Sequence, residues 1–174
     1  MNKLILIICL LIISKTEILA QNEELKKLDF FIGEWELVTK ASRSDGSSMI
    51  GKARTKAYYI LDQTAIQDDF YALDPSGNVV FRGTSIRSFN SQSGKYQIVW
   101  LMPGIDGITE ISGVLCKGKL VTTGKGYDAN GAFIERFEYY DIQPDSYSFK
   151  MDRSYDEGKT WILNFSSFDA KKVK

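Results

Sequence analysis

Two arginines stand among aromatic residues in segments of alternating pattern. Counted every second residue, Arg87 shares a face with Phe81 and Phe89, and Arg153 shares one with Phe149 and Met151. Turned inward, these faces would put two guanidinium groups inside an aromatic-lined cavity. A buried arginine needs a partner, and its planar fork fits a carboxylate, whether from the protein or from a ligand. Both readings stay open: the arginines anchor the polar end of a ligand, or they pair with Asp68, Glu110 or Glu138, or reach water near a rim. On the first reading the expected pocket is lined by Tyr58, Phe81, Trp100, Phe149 and Met151, with Arg87 and Arg153 as its polar anchors.

Histidine is absent from the 174 residues. That removes the Ser-His-Asp and Cys-His nucleophile systems, a histidine general base, histidine-ligated haem and most zinc sites. An enzyme built from what remains would use carboxylates and tyrosine, such as Glu138 or Asp68 as base and Tyr140 as acid. No pair of them has a spacing that specifies a reaction. No cofactor and no metal site is expected.

Ser154-Tyr155-Asp156-Glu157-Gly158-Lys159-Thr160-Trp161 fits the Asp-box pattern Ser-X-Asp-X-Gly-X-Thr-Trp at every fixed position. The spacing suits a hairpin in which the aspartate accepts bonds from backbone amides across the turn. Glycine supplies the positive φ and the aromatic tucks beneath. The glycan-active propellers that carry this box carry several copies, too large a fold for this chain, so the motif reads as structural.

The elements that must position these residues are strands. From Glu34 onward, short β-type runs alternate with nine turn signals about every 10–14 positions, among them Ser44-Asp45-Gly46, Asp74-Pro75-Ser76-Gly77-Asn78 and Pro103-Gly104-Ile105-Asp106-Gly107. Tyr147, Phe149, Met151 and Arg153 alternate against Ser148, Lys150, Asp152 and Ser154; Tyr96, Ile98, Trp100 and Met102 against Gln97, Val99 and Leu101; Trp161, Leu163 and Phe165 against Thr160, Ile162 and Asn164. Strand 133–142 is ambiguous, because Phe133, Phe137 and Tyr139 compete with Ile134, Tyr140 and Ile142. Before the strands, Asn22 to Ile32 reads as one short helix, capped by Asn22 and ended by Gly33. The prediction is an all-β fold, a single antiparallel up-and-down β-barrel of about ten strands with a short N-terminal helix; a sandwich is the alternative.

Met1-Asn2-Lys3, the apolar run Leu4 to Ile13 and a polar stretch ending at Ala20 have the parts of a secretory signal, and the run is shorter than the roughly 20 residues a membrane span needs. Residues 1–20 are therefore expected to be a signal peptide and 21–174 the barrel domain of a secreted or periplasmic protein. Of 22 basic and 22 acidic residues, Lys3, Lys15 and Glu17 fall in the signal, leaving a near-neutral domain with no footprint for nucleic acid. It keeps one cysteine, Cys116, read as a passive thiol, so no internal disulfide can form.

Gly33-Glu34-Trp35, after a helix and before a meander, resembles the Gly-X-Trp signature that opens lipocalin-like barrels, where the tryptophan plugs the base of the core. Gly83 to Asn90, Gly94 to Trp100 and Glu135 to Ile142 resemble an uncharacterised secreted bacterial family with a fatty-acid-binding-protein-like, or calycin, fold, over residues 28–168. Nitrobindin, a haem-binding barrel, is a more distant likeness. Its haem-ligating histidine has no counterpart here, so haem does not carry over. The resemblance implies a fold, and with the aromatic content it points to a binding protein for a small apolar or amphipathic ligand. A barrel filled by its own side chains, serving as a structural or protein-interaction module, is the competing expectation; a cavity above about 300 Å³ separates the two.

Overall fold

The computed structural model describes residues 21–42, 47–104 and 107–173. The expected signal peptide, the turn at Ser44-Asp45-Gly46 and the Ile105-Asp106 part of the following turn lie outside them. The strands are β1 (Gly33–Ser42), β2 (Ser48–Ile60), β3 (Ala65–Leu73), β4 (Val79–Asn90), β5 (Lys95–Leu101), β6 (Ile108–Cys116), β7 (Lys119–Asp128), β8 (Gly131–Tyr140), β9 (Ser146–Ser154) and β10 (Ile162–Lys172). Each pairs antiparallel with its neighbours in sequence, and β1 pairs with β10 from Trp35↔Lys172 to Ala41↔Ser166, closing the barrel. The sandwich alternative is thereby excluded. Closure leaves no unpaired strand edge, which a meander of this length must otherwise hide. No helix among the described residues is long and apolar enough to cross a membrane.

The expected short N-terminal helix is present, but it ends at residue 26 and does not run on to Ile32. Residues 21–26 are α-helical, a turn follows, and Asp29–Phe31 form a 3-10 turn. Asn22 is not a cap: residue 21 is already helical, and Asn22 Oδ1 has no partner among the described residues. The tighter turn serves packing. It drops Phe31 into the barrel end, and the Phe31 carbonyl accepts a 2.8 Å bond from Trp35 Nε1. Leu25, Leu28, Phe31 and Trp35 are fully or almost fully buried against Ile66, Tyr96, Leu120 and Tyr147. Burying each such large apolar side chain is worth about 1.5–3 kcal/mol, so this plug closes one end firmly. Tyr96 Oη donates to the Glu24 carbonyl and ties the helix to β5.

Two strand expectations are settled here. In β8 the aromatic set Phe133, Phe137 and Tyr139 faces in with Glu135; Ile134, Arg136, Glu138 and Tyr140 face out. Arg136 bonds Asp152, and Glu138 is held by Lys119 and Lys150. In β10 the expected alternation fails. A register shift between Ile162 and Ser166 leaves Leu163 exposed and brings both Phe165 and Ser166 to the interior, while Trp161 stays in the preceding loop. Between those pairs β10 has three residues where β9 has one, and Asn164 in this irregular stretch takes φ +49, so the two-residue period breaks.

Candidate functional site

Because successive residues of a strand face opposite sides, each strand offers every second side chain to the interior. Above the plug these enclose a cavity of about 410 Å³. Its floor is polar and lies on the plug. Arg87, 4% exposed, stacks its guanidinium 4.2 Å from the centre of the Phe31 ring and donates from Nη2 to Asp68 Oδ2 at 2.9 Å. Burial works against the Arg87 charge, but Asp68, helped by Tyr139 and Tyr147, outweighs it, and the pKa is pushed up. Burial also holds the Tyr139 and Tyr147 phenols above their ordinary range, so both stay protonated.

The floor is incompletely paired. Arg87 Nε and Nη1, Asp68 Oδ1 and the hydroxyl oxygens of Thr55, Ser85 and Thr122 are buried without a hydrogen-bond partner of good geometry among the described residues, although the Tyr139 phenol stands close to Arg87 and that of Tyr147 close to Thr55. All five residues line the cavity. Buried polar atoms in folded proteins are almost always paired, so a cluster of unpaired ones facing one cavity is a set of contacts waiting for an occupant.

The other polar centre lies beside β7 and the Asp-box loop, where β8 begins and β9 ends. Arg153 lies over the rings of Phe133 at 4.0 Å and Phe165 at 4.1 Å. Its Nε and Nη2 donate to Glu135, and its Nη1 donates to Asp128 at 2.8 Å and to Tyr155 Oη. Glu135 is buried, which lifts its pKa above the usual carboxylate range against the opposing pull of Arg153. Between the two centres the walls are apolar: Phe70, Phe81 and Trp100 on one side, Phe137, Phe149, Met151 and Phe168 on the other. Trp100 can lie flat only because residue 83 is glycine, where a Cβ would fall 2.3 Å from the indole.

Of the seven residues expected at the pocket, Phe81, Arg87, Trp100, Phe149, Met151 and Arg153 line this cavity. Tyr58 does not. It is 36% exposed on the outer face of β2, where its hydroxyl donates to Asp69. Its neighbours Ala57 and Tyr59 take the inward parity, against the plug. Glu138 and Tyr140, considered above for acid–base work, are also on the outside, whereas Asp68 is inside. The arginines do pair with protein carboxylates: Arg87 with Asp68 as one reading held, Arg153 with Glu135 and Asp128, which sequence reasoning missed. The parity of Glu135 with Phe133 and Phe137 was the available signal.

The Asp-box forms the expected hairpin. Asp156 accepts from the Thr160 amide and hydroxyl and from Ser154 Oγ, and Gly158 takes φ +88. Trp161 Nε1 donates back to the Gly158 carbonyl, and the indole stacks under Arg136 at 3.8 Å. Trp161 also overhangs a groove of about 800 Å³ along the outer faces of β4 to β8. This groove is the larger space, but none of the unpaired buried atoms among the described residues belongs to its lining. The cavity in the barrel interior is the better candidate site.

No protein-family model and no curated protein matches the chain. Solved structures do. Rv2717c from M. tuberculosis superposes with a TM-score of 0.65 at 12% identity, over 87% of this chain and 98% of its own. The S-type phycobiliprotein lyase CPES from Guillardia theta superposes with a TM-score of 0.56 at 10% identity, over 84% of this chain and 90% of its own. At such identities the likeness is one of architecture, a calycin-like antiparallel barrel.

Proposed function

We propose that the barrel binds a small apolar or amphipathic molecule in its interior cavity. The observation that carries this reading is the cavity itself, about 410 Å³ with six unpaired buried polar atoms facing it. That volume lies within the roughly 300–1,000 Å³ of small-molecule sites, and a barrel packed solid by its own side chains would leave neither the space nor the unmet hydrogen bonds. The two solved structures support the fold, and no ligand is carried over from them. The N-terminal pattern adds the proposal that the protein works outside the cytoplasm, secreted or periplasmic, after cleavage near Ala20.

Native and denaturing mass spectra of the purified protein test both points. A stoichiometric small molecule lost on denaturation, on a chain whose mass begins at Gln21, is the expected result. A bare chain, with no thermal shift against fatty acids, sterols and glycans, would return the filled barrel to first place.

Glu135 supports a second reading. It is a cavity carboxylate held above its ordinary pKa, the property a proton-transferring enzyme without histidine needs. Its clamp by Arg153 favours a positioning role, which is why binding comes first.

A further inference from the structure

The charge and valence of the cavity floor restrict what can sit there. Arg87 is already matched by Asp68 at 2.9 Å, so the floor carries no net charge. Arg153 at the other centre has all three nitrogens engaged and faces two carboxylates, Glu135 and Asp128. Neither arginine offers an uncompensated positive charge. A ligand carboxylate brought to the floor would be an extra buried anion, costly wherever it is not neutralised.

The unpaired atoms point the same way. Arg87 Nε and Nη1 can only donate, Asp68 Oδ1 can only accept, and the hydroxyls of Thr55, Ser85 and Thr122 do either. Each of these five residues is more than nine-tenths buried. A carboxylate would satisfy the arginine and leave Asp68 without a donor, beside a second negative charge. An uncharged group with both a donor and an acceptor meets both demands.

Resting on the binding reading above, we infer that the cavity selects a ligand with an apolar body and a neutral hydrogen-bonding head, a primary amide or an alcohol, seated on the Arg87–Asp68 pair. Its carbonyl or hydroxyl oxygen accepts from Arg87, its N–H or O–H donates to Asp68 Oδ1, and its body lies between Trp100 and Phe149.

Calorimetry with a matched series, decanamide, 1-decanol and decanoate, at neutral pH tests the head group while the tail is held constant. The amide or the alcohol binds at least tenfold more tightly than the acid. Asp68→Asn removes the negative charge and moves the preference at least tenfold toward decanoate. Ser85→Ala, which keeps the charge balance, weakens the neutral probes several-fold and serves if Asp68→Asn does not fold. Tightest binding of decanoate to the unmodified protein, or an acidic head on the molecule extracted from it, overturns this inference and leaves the binding reading standing. A bare chain in the native spectrum together with no binding of any probe overturns both.

Discussion

The Arg87–Asp68 pair sits where a residue-level change has the largest expected effect. Two opposite charges in a buried site are held by each other, so removing one strands the other. Asp68→Ala is expected to cost about 3–5 kcal/mol, as for other broken buried pairs. The double replacement Arg87→Met with Asp68→Leu removes both charges, and much of that loss should return. Urea unfolding of the three proteins checks this. Equal losses in the single and double variants would mean that packing around Phe31, not charge, is what the pair maintains. The same comparison separates the stability role of the floor from its proposed role in binding, since the double variant loses the head-group contacts even where it regains stability.

Among the elements, the N-terminal segment and the Asp-box hairpin each carry a distinct test. Trp35 joins the plug to β1 through one bond, Nε1 to the Phe31 carbonyl. Trp35→Phe keeps an aromatic ring and leaves that buried carbonyl unpaired, at an expected cost of about 1–3 kcal/mol, read from the denaturation midpoint. The Asp-box responds to pH instead. Bonds from the Thr160 side chain, the Thr160 amide and Ser154 hold the Asp156 pKa down to about 2, from an ordinary value of 3.8. A carboxylate whose pKa is lower when folded adds stability above its unfolded pKa and loses it as the pH falls through the folded one. The melting-temperature gap between the protein and Asp156→Asn should therefore be widest above pH 4 and shrink toward pH 2. Glu135 has the opposite sign: its raised folded pKa makes the fold less favoured as the pH climbs from 4.5, so Asp156 must be followed by its own variant and not by the acid limb of the whole protein alone.

At the scale of the whole molecule, closure is the governing fact. Ten antiparallel strands joined by short turns form a ring only because β10 returns to β1 along seven residue pairs. Deleting residues 162–174 would expose the edges of β1 and β9 together and remove Phe168 from the cavity wall. Exposed edges template intermolecular pairing, so the truncated chain is expected to elute in the excluded volume on size-exclusion chromatography where the intact protein elutes as a discrete species. A well-behaved truncated species would show that the plug and nine strands hold without closure. Closure also places the two arginine centres within one enclosure, although they come from β4 and β9, more than sixty residues apart in the chain.

The sequence by itself determined the strand count, the turns that fall on described residues, the Gly-X-Trp step before the first strand, and which residues share a face, Arg87 with Phe81 and Arg153 with Phe149 and Met151; that these faces turn inward was left open. Those features are local: a two-residue period, turn chemistry and a Gly-X-Trp step can all be read within a dozen residues. Its silence on histidine removed whole classes of chemistry at the start. Tyr58 went to the wrong face because Tyr58 and Tyr59 are adjacent aromatics, and composition cannot say which of the two the barrel turns inward. Strand β8 was equally undecided for the same reason, and with it Glu135. In β10 the period itself was misread, since a bulge leaves no mark on the pattern of apolar residues. Only the tertiary structure decided which carboxylate meets which arginine, because partners on different strands are chosen by register and closure, and neither is written in any one segment. The unpaired atoms on the cavity floor are the furthest from the sequence: an unmet hydrogen bond is a property of everything that surrounds an atom, and it exists only once the ring is shut.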